Sequence, residues 1–459
     1  METEKRIVVL GGGESGYGSA VLARVKGFDV FLSDFGQIPL AYKEKLEKWE
    51  IPFEEGKHTP ELILNADLVI KSPGIPDKVP MVQAIRERGI KIISEIEFAG
   101  LYNRAKTICI TGSNGKTTTT TLTYEILKQG GLNVGLGGNI GQSFAYQVAT
   151  EEHDWYVLEL SSFQLDGMFD FRADVAILMN ITPDHLDRYD YQLQNYADSK
   201  FRIIRNQGLE QAFIYCDDDP ISLENLVKHE LPMQVLPFSV KHMVSPGAGL
   251  ENGQIKITMP DESIFEIHLD ELKVKGIHNT YNAMAAILSG LTAGVAPESI
   301  RETLLNFDGV EHRLEPVAEV DGVLYINDSK ATNVDSVWYA LESMARPVVW
   351  IAGGTDKGND YAPLMDFARS KVKALVAMGV DNHKLLNYFD GVVPVIQDTH
   401  SLDEAMQAAH KLAQPGDVVL LSPACASFDL FKNYEDRGCQ FKDWVAQLIK
   451  QKKGADDES

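Results

Sequence analysis

Short apolar runs rich in β-branched residues alternate with helical patterns along the whole chain, and this rhythm restricts the fold more than any other feature. The predicted strands are "RIVVL", "DVFLSD", "ADLVIKS", "KIISE", "TICITG", "WYVLELS", "VAILMNI", "LYINDS", "PVVWIAGG", "ALVAMG" and "VVLLSP". Strands separated by helices pair in parallel, because each helical crossover returns the chain to the same end of the sheet. The sequence therefore predicts an α/β fold built on parallel sheets.

The length of the chain indicates several domains. Its 459 residues suggest three domains of about 150 residues each. We place one boundary at Ser94, where the first set of strands closes, and another at Gly309, just before "VEHRLEP". Residues 235–275 change to an alternating pattern around Asn252-Gly253, which predicts an antiparallel patch on the middle domain.

Composition excludes some classes of partner. The chain has 43 basic and 66 acidic residues and a net charge of −23, which argues against non-specific binding to nucleic acid or to an anionic membrane. No apolar run approaches the ~18 residues of a membrane span. The four cysteines contain no C-x-x-C pair, so neither a disulfide framework nor a zinc site is suggested. We expect a cytoplasmic monomer.

The stretch "TGSNGKTTTT" lies between an apolar strand and a helix. A glycine-rich turn at this position leaves backbone N–H groups that bind phosphate together with the helix dipole. Lys116 can reach the β and γ phosphates, and the Thr117 hydroxyl can bind Mg²⁺. Ile110 stands where the common phosphate loop has glycine, so the alternative is an ordinary strand-to-helix turn. We predict an ATP site here.

A second glycine pattern opens the chain. Gly11-x-Gly13-x-x-Gly16 follows the first strand, and Asp34 ends the next one. Alone, this pattern is typical of dinucleotide binding and makes an NAD-dependent dehydrogenase the competing enzyme class. The same geometry can hold any nucleotide diphosphate, because the helix N-terminus binds the pyrophosphate.

Polar residues follow several other predicted strands. Glu159 ends "WYVLEL", where a carboxylate would face the Mg²⁺ of a phosphate-loop site in the same sheet. The clusters "NITPDHLDRY", "NDSKATN" and "SPACASFDLFKNYEDRG" also come after strands, which favours a ligand cleft. Taken singly, each residue has a plainer interpretation: a solvated acid, a helix cap or, for Lys200, a surface lysine.

Together these stretches, with "ELSSFQL", "SKFRI", "HNTYNA" and "EHRLE", closely resemble the Mur ligase family over nearly the whole chain. The resemblance implies a Rossmann-like domain for a UDP group (1–94), a central ATPase domain (95–309) and a Rossmann-like domain for an amino acid (310–459). The two C-terminal motifs resemble those of members that add D-glutamate to UDP-N-acetylmuramoyl-L-alanine in peptidoglycan precursor synthesis. A member acting on another amino acid or on folate is the alternative.

The resemblance also implies a mechanism. The alanyl carboxylate attacks the γ-phosphate of ATP to give an acyl phosphate, and the D-glutamate amine then displaces phosphate. Two Mg²⁺ ions take part. By motif, Thr117 and Glu159 hold the first ion and His185 and Lys200 the second, with Lys200 carbamylated so that it offers an oxygen ligand. Lys116, Glu159, His185 and Lys200 are the implied catalytic residues.

The implied binding residues form three sets. The ATP contacts are Gly112, Ser113, Asn114, Gly115, Lys116, Thr117, Thr118, Asn279, Asn282, Arg313 and Asp328. The contacts to the UDP substrate are Ser15, Asp34, Ser72 and Asn139. The contacts to D-glutamate are Lys330, Thr332, Lys357, Ser427 and Phe428, with Lys357 paired to the side-chain carboxylate.

Two other classes remain open from the residues. A dehydrogenase would use Gly11 to Gly16 but leave the phosphate loop idle. A nucleotide-gated binding protein would use Lys116 but has no need of Glu159, His185 and Lys200 together. NAD(H) binding would distinguish the first class, and substrate-dependent phosphate release the second.

Overall fold

The computed structural model describes residues 5–184, 186–356 and 358–456. Within these ranges the strands form three sheets, and the chain divides into two compact units. The first unit comprises the described residues up to Lys273 together with Asn279–Phe307. The second comprises Val274–His278 and the described residues from Asp308 onward. The boundaries at Ser94 and Gly309 stay predictions.

The first sheet is parallel throughout and has the strand order β3-β2-β1-β4-β5. Its strands are β1 (Arg6–Leu10), β2 (Asp29–Ser33), β3 (Phe53–Glu54), β4 (Leu68–Lys71) and β5 (Lys91–Ile93). Its helices are α1 (Glu14–Val25), α2 (Leu40–Lys48), α3 (Pro60–Ile63), α4 (Pro80–Glu87) and α5 (Glu95–Gly100). This is the Rossmann strand order 3-2-1-4-5-6 without the sixth strand.

Both faces of β1 are buried, as its unbroken apolar run predicts. Ile7 and Val9 join one apolar cluster, and Val8 and Leu10 join another on the opposite face. Successive side chains of a strand point to opposite sides of the sheet, so a strand covered by helices on both sides must be apolar throughout. The glycine turn after β1 lies in the middle of the sheet, at the end where the parallel strands have their carboxyl termini.

Gly16 allows α1 to approach that turn, and its replacement tests the packing. A Cβ at Gly16 would lie 1.8 Å from the carbonyl oxygen of Gly11, so the backbone must move. We expect Gly16→Ala to destabilise the protein by about 1–3 kcal/mol, as overpacking does, and to lower the midpoint of urea unfolding. Gly74→Ala is the control, because no described atom lies within 4 Å of its Cβ position. Equal midpoints for the two variants would contradict the packing.

The central sheet has the order β14-β13-β12-β11-β10-β9-β6-β8-β7. Its strands are β6 (Lys106–Thr111), β7 (Val134–Gly138), β8 (Trp155–Glu159), β9 (Val175–Leu178), β10 (Ala212–Cys216), β11 (Gln234–Ser239), β12 (Gly247–Glu251), β13 (Gln254–Thr258) and β14 (Ile264–His268). Its helices are α6 (Lys116–Gln129), α7 (Phe144–Thr150), α8 (Ser162–Asp166), α9 (Leu193–Phe201), α10 (Pro220–Leu226), α11 (Ile277–Thr292) and α12 (Pro297–Asn306), with 3₁₀ turns at Leu186–Arg188 and Arg202–Ile204. Strand β6 lies between β8 and β9, which brings three carboxyl ends together.

The predicted antiparallel patch is present but begins later than expected. Strands β12, β13 and β14 pair antiparallel, and Asn252 and Gly253 form the tight turn with φ of 51° and 75°. Both values are positive, as a type I′ hairpin requires. Strand β11 pairs in parallel with both neighbours, so the start of the patch at residue 235 was wrong. The backbone of a sheet strand can continue a parallel ladder even when its sequence pattern changes.

The third sheet has the order β15-β16-β20-β17-β18-β19, parallel except for the β15–β16 pair. Its strands are β15 (Glu315–Val320), β16 (Val323–Asn327), β17 (Val348–Gly353), β18 (Val372–Met378), β19 (Ile396–Thr399) and β20 (Val418–Ala424). Its helices are α13 (Val334–Ser343), α14 (Met365–Lys371), α15 (His383–Phe389), α16 (Leu402–Leu412) and α17 (Tyr434–Asp456), with a 3₁₀ turn at Ala362–Leu364. The predicted fold class, α/β with mostly parallel sheets and a small antiparallel patch, is confirmed.

Across the described ranges, no helix combines the length and the apolar character that a membrane crossing requires.

Candidate functional site

The loop after β6 has a backbone that only glycine adopts without strain at two positions. Gly112 and Gly115 have φ of 153° and 82°. A Cβ at Gly112 would lie 2.8 Å from that of Met179, and one at Gly115 would lie 2.5 Å from the Oδ1 of Asn282. Helix α6 begins directly afterwards at Lys116. The loop therefore leads directly into the N-terminus of a long helix, the kind of position at which anions bind.

The segment after β9 holds this loop in place. The Oγ of Ser113 donates to the carbonyl of Thr182 at 2.9 Å and accepts from the Thr182 N–H at 2.8 Å. The N–H of Asn114 donates to the Oδ1 of Asn180 at 2.8 Å. These bonds follow from the sheet order, because β6 and β9 are neighbours. The loop is fixed before any ligand contributes.

Two lysines converge on one carbonyl of the loop. The Nζ of Lys116 donates to the carbonyls of Gly112 and Ser113 at 2.8 and 2.9 Å, and the Nζ of Lys200 donates to Gly112 at 2.8 Å. Lys200 is only 1% exposed, so its interpretation as a surface lysine is wrong. Burial, and next the charge of Lys116, hold the pKa of Lys200 well below its usual value.

Glu159 ends β8 beside the loop. Its side chain is 1% exposed, which rules out a solvated strand-end acid. The Nδ2 of Asn139 donates to its Oε1 at 2.8 Å, while its Oε2 has no hydrogen-bond partner among the residues that the structure describes. A buried carboxylate oxygen without a donor is costly unless a cation or a proton meets it. Thr117, at the start of α6, is also buried. Carboxylate and hydroxyl oxygens are ligand types that Mg²⁺ accepts.

Helix α11 brings the two predicted asparagines to the same place. The Oγ1 of Thr119 donates to the Oδ1 of Asn282 at 3.2 Å, and the Nδ2 of Asn282 donates to the Oδ1 of Asn279 at 3.1 Å. The sequence interpretation as a simple cap does not account for this contact with α6. The structure thus gathers the phosphate loop, Glu159, Lys200 and the asparagines at one edge of the central sheet.

The predicted residues for a UDP substrate lie in two groups. The Oγ of Ser15 donates to the Oγ of Ser72 at 3.4 Å, and Asp34 accepts from the N–H groups of Gly12 and Gly36 at 2.5 and 2.7 Å. These contacts surround the glycine turn after β1. Asn139 is bound instead to Glu159 in the central sheet. Asp34 therefore supports the glycine turn through Oδ2 and the loop after β2 through Oδ1.

In the C-terminal unit, Asp328 is buried after β16. Its carboxylate accepts from the Oγ of Ser422 at 2.7 Å and from the N–H of Leu314 at 3.2 Å. Burial raises the pKa of Asp328 to about 7, against the opposing effect of these bonds. Ser427 is 2% exposed and Phe428 is 70% exposed. A buried carboxyl and an exposed aromatic ring thus follow adjacent strands of one sheet.

Sequence reasoning missed Arg437, which joins the two C-terminal motifs. Its guanidinium is fully buried and donates to the Oγ and carbonyl of Ser329 at 2.9 and 2.8 Å, and to the carbonyl of Cys425 at 3.3 Å. Burial lowers the pKa of Arg437 to about 10. The side chain thereby connects the loop of Lys330 to the loop of Ser427. Its place inside the quoted motif "SPACASFDLFKNYEDRG" was the available signal.

Tyr434 was also missed. The Nζ of Lys330 lies 4.9 Å from the centre of its ring, and the Oγ of Ser329 donates to its carbonyl at 2.8 Å. Thr332 follows Lys330 in the same turn, its N–H donating to the Lys330 carbonyl at 2.9 Å. Helix α17 therefore supports the first C-terminal motif through both Tyr434 and Arg437.

Glu311, His312 and Cys439 place ligand-type atoms within 4.8 Å of one another. The Nδ2 of Asn327 donates to the Nδ1 of His312 at 2.8 Å, so the Nε2 that faces Cys439 carries the proton. Lys442 also donates to Glu311. The imidazole lone pair is already used, and the group is better described as a hydrogen-bonded network than as a metal centre.

Two predicted residues cannot be placed. His185 and Lys357 lie outside the described residues.

Comparison with known proteins identifies the family. Sequence models match at residues 5–94 (Mur ligase MurD-like, N-terminal domain), 110–290 (Mur ligase middle domain) and 312–425 (Mur ligase, glutamate ligase domain). The chain is 56% identical over 445 residues to the UDP-N-acetylmuramoylalanine--D-glutamate ligase of Bacteroides thetaiotaomicron, covering 97% of this chain and 100% of that one. The ligase of the same name from Cytophaga hutchinsonii is 50% identical, covering 97% and 99%.

Solved structures are similar in fold. The UDP-N-acetylmuramate-alanine ligase MurC from Thermotoga maritima gives a TM-score of 0.61 at 20% identity, covering 97% of this chain and 99% of that one. The MurF ligase from the same organism, solved with ADP, gives 0.60 at 15% identity, covering 94% and 99%. The three family models and the relatives at 50–56% identity show that the chain belongs to the Mur ligase family.

Proposed function

We propose that this protein is an ATP-dependent ligase that adds D-glutamate to UDP-N-acetylmuramoyl-L-alanine in peptidoglycan precursor synthesis. The relatives named for this reaction are similar to nearly the full length of the chain. The observation that carries the proposal is the edge of the central sheet, where two lysines meet the phosphate loop beside the buried Glu159. A protein that only bound nucleotide would not need this second lysine and carboxylate.

The chemistry explains why cations gather there. The alanyl carboxylate attacks the γ-phosphorus of ATP, a new O–P bond forms, and ADP leaves with the electron pair of the broken bond. The amine of D-glutamate then attacks the acyl carbon, phosphate leaves, and the amine loses a proton. Carboxylate and triphosphate repel each other, so the first step needs positive charge at the transferring group. Lys116 supplies part of that charge.

Mg²⁺ would supply the remaining charge neutralisation at the phosphates. Thr117 and Glu159 are the residues that would hold this ion, and the unpartnered Oε2 of Glu159 supports the proposal. His185 and Lys200 are proposed to hold a second ion. Asn139 orients Glu159 through its bond to Oε1.

An ammonium cannot ligate a metal, so Lys200 must be modified for this role. Its low pKa keeps part of the amine neutral. The ammonium first loses one proton. The neutral amine then attacks CO₂, an N–C bond forms, a second proton leaves, and the charge of the side chain has changed from +1 to −1. The carbamate would then offer an oxygen ligand. We propose that Lys200 is carbamylated.

The remaining contacts are assigned by motif and by position. Asn279, Asn282, Arg313 and Asp328 are proposed for the nucleotide; Ser15, Asp34, Ser72 and Asn139 for the UDP substrate; and Lys330, Thr332, Lys357, Ser427 and Phe428 for D-glutamate. The protein is proposed to act in the cytoplasm and as a monomer. Light scattering of the purified chain would test the monomeric state.

The decisive assay measures phosphate release with ATP and UDP-N-acetylmuramoyl-L-alanine against a panel of amino acids. We expect release with D-glutamate and background rates with L-glutamate, L-lysine, meso-diaminopimelate and glycine. Omitting the UDP substrate should also abolish release, and NAD(H) should not bind in a fluorescence titration. Faster release with another amino acid would reassign the substrate. Tight NAD(H) binding without phosphate release would favour a dehydrogenase.

A further inference from the structure

Three helices of the first unit meet at Ser143. This residue is 1% exposed and caps α7, accepting from the N–H of Tyr146 at 3.1 Å. Helix α1 reaches it through Gly18, where a Cβ would lie 1.8 Å from the Ser143 Oγ. Helix α5 reaches it through Glu95. The junction therefore ties the glycine turn after β1 to the central sheet.

Two carboxyl groups bind Ser143 from different sides. The Oε1 of Glu14 accepts from its N–H at 2.9 Å. The Oε1 of Glu95 accepts from its Oγ, and from the N–H of Ala145 at 3.1 Å. Glu14 directly precedes Ser15 in the glycine turn. Ser143 is therefore bound both to the start of α1, through Glu14, and to α5, through Glu95.

Ser143 also ends the loop that carries Asn139. Three residues separate Ser143 from Asn139. The Nδ2 of Asn139 donates to the Oε1 of Glu159 at 2.8 Å, and its N–H donates to the Glu159 carbonyl at 2.8 Å. A shift at Ser143 strains this short loop, because Asn139 at its other end is held by Glu159 of β8. The geometry of the bonds between Asn139 and Glu159 therefore depends on the Ser143 junction.

Glu95 is an unusual choice for a purely structural contact. It is 2% exposed, and its Oε2 has no hydrogen-bond partner within the described parts of the chain. An amide or a hydroxyl could accept the same bonds at lower desolvation cost. A buried acid beside a second carboxyl is a costly arrangement, which favours a functional role.

We propose that Glu95 is a positioning residue for the UDP substrate, which fixes Ser143 and so sets Asn139 relative to the glycine turn after β1. The inference rests on the proposed function for the identity of that substrate. Glu95 acts through Ser143 and touches no reacting atom itself.

The junction should respond to pH. Burial raises the pKa of Glu95 to about 7, with a further contribution from Glu14. The titratable groups around it are Glu14 and Tyr17 on α1, Tyr146 on α7 and, next to these, Tyr42 and Lys45 on α2. Burial raises the pKa of Tyr17 and Tyr42, so both stay neutral near pH 7.

The direction of the pH effect follows from the raised pKa of Glu95. Because the folded-state pKa of Glu95 exceeds its usual 4.5, the stabilisation from its bound proton is complete below pH 4.5 and is lost as pH rises through about 7. Above that pH, two carboxylates face each other across Ser143. We expect the junction to loosen, and the KM for the UDP substrate to rise, between pH 6 and pH 8.

Glu97 provides a matched control on the same helix. It is 1% exposed and accepts from the N–H groups of Phe169, Asp170 and Phe171, each at 2.9 Å. These bonds anchor a segment that does not include Ser143. Loss of a buried carboxylate from α5 can thus be separated from loss of the Ser143 contact.

The test compares Glu95→Ala, Glu95→Gln and Glu97→Gln by steady-state kinetics and by calorimetric binding of UDP-N-acetylmuramoyl-L-alanine. Glu95→Ala should raise the KM and the Kd for that substrate about tenfold, while the KM for D-glutamate stays within about twofold. Glu95→Gln should match the wild type at pH 6 and lack its rise by pH 8. Glu97→Gln should lower the Tm without these changes.

Unchanged substrate affinity in folded Glu95→Ala would overturn the proposal, and so would a pH rise retained in Glu95→Gln or an equal effect of Glu97→Gln. If Glu95→Ala does not fold, Ser143→Ala replaces it, since it removes the Oγ contact and leaves room beside Gly18. A wild type that binds the UDP substrate but does not ligate D-glutamate would refute the proposed amino acid alone. A wild type that does not bind the UDP substrate would refute the proposed function and this inference with it.

Discussion

Lys116→Ala should reduce ligation by at least about 10³-fold, which corresponds to about 4 kcal/mol of transition-state stabilisation. The Nζ of Lys116 lies at the phosphate loop, bound to the carbonyls of Gly112 and Ser113. Without it, the charge that gathers on the transferring phosphoryl group loses one of the two lysines that meet at this loop. Phosphate release at saturating substrates measures the effect.

The variant should remain folded. It loses two hydrogen bonds of about 1 kcal/mol each, so a small decrease in Tm is expected. Lys128→Ala is the matched control, because Lys128 is an exposed residue in the last turn of the same helix. Its turnover should equal that of the wild type. Wild-type turnover in folded Lys116→Ala would remove the assignment of this loop to ATP.

Lys200→Ala should be nearly inactive, and a small carboxylate should restore part of its activity. If the carbamate is a metal ligand, deleting the side chain removes an oxygen donor and leaves a space beside the phosphate loop. Acetate can diffuse into that space and supply an oxygen. Lys200→Arg should be inactive as well, because a guanidinium keeps its positive charge and does not react with CO₂. Activity as a function of acetate concentration measures the rescue.

The carbamate itself can be detected without turnover. Wild-type protein in ¹³C-bicarbonate should show a lysine carbamate signal that is missing from Lys200→Ala. Near-normal activity of Lys200→Ala would contradict the proposal that Lys200 is carbamylated. A wild-type spectrum without the carbamate signal would contradict it as well.

The sequence predicted those parts of the fold in which the residue types depend directly on burial or on backbone conformation. Strand β1 is apolar on both faces because helices cover both, and the Asn252-Gly253 turn needs two positive φ values. Strand β7 was missed because three of its five residues are glycines, which carry no β signature. The sequence did not predict β11 as a central strand, because Pro237 cannot donate a hydrogen bond to a neighbouring strand.

The candidate site was predictable where one motif contains the whole arrangement, as in the phosphate loop. Contacts across the sheet were not. The bond from Asn139 to Glu159 depends on the register that places Gly138 opposite Glu159. The burial of Lys200 depends on how α9 packs, since its neighbours in "YADSKF" include polar residues typical of a surface helix. Glu95 and Ser143 are 48 positions apart, and no sequence pattern links them.

The contact between α6 and Asn282 has a consequence for how the protein is made. Thr119 and Asn282 are 163 positions apart in the sequence, yet their side chains are hydrogen-bonded to each other beside the phosphate loop. At the usual speed of translation, the second follows the first out of the ribosome after an interval on the order of 10 s. During that interval β6 and α6 exist without α11, so Gly115 and its neighbours lack the side chain that packs against them. The loop therefore acquires its packing contact with α11 only late in synthesis.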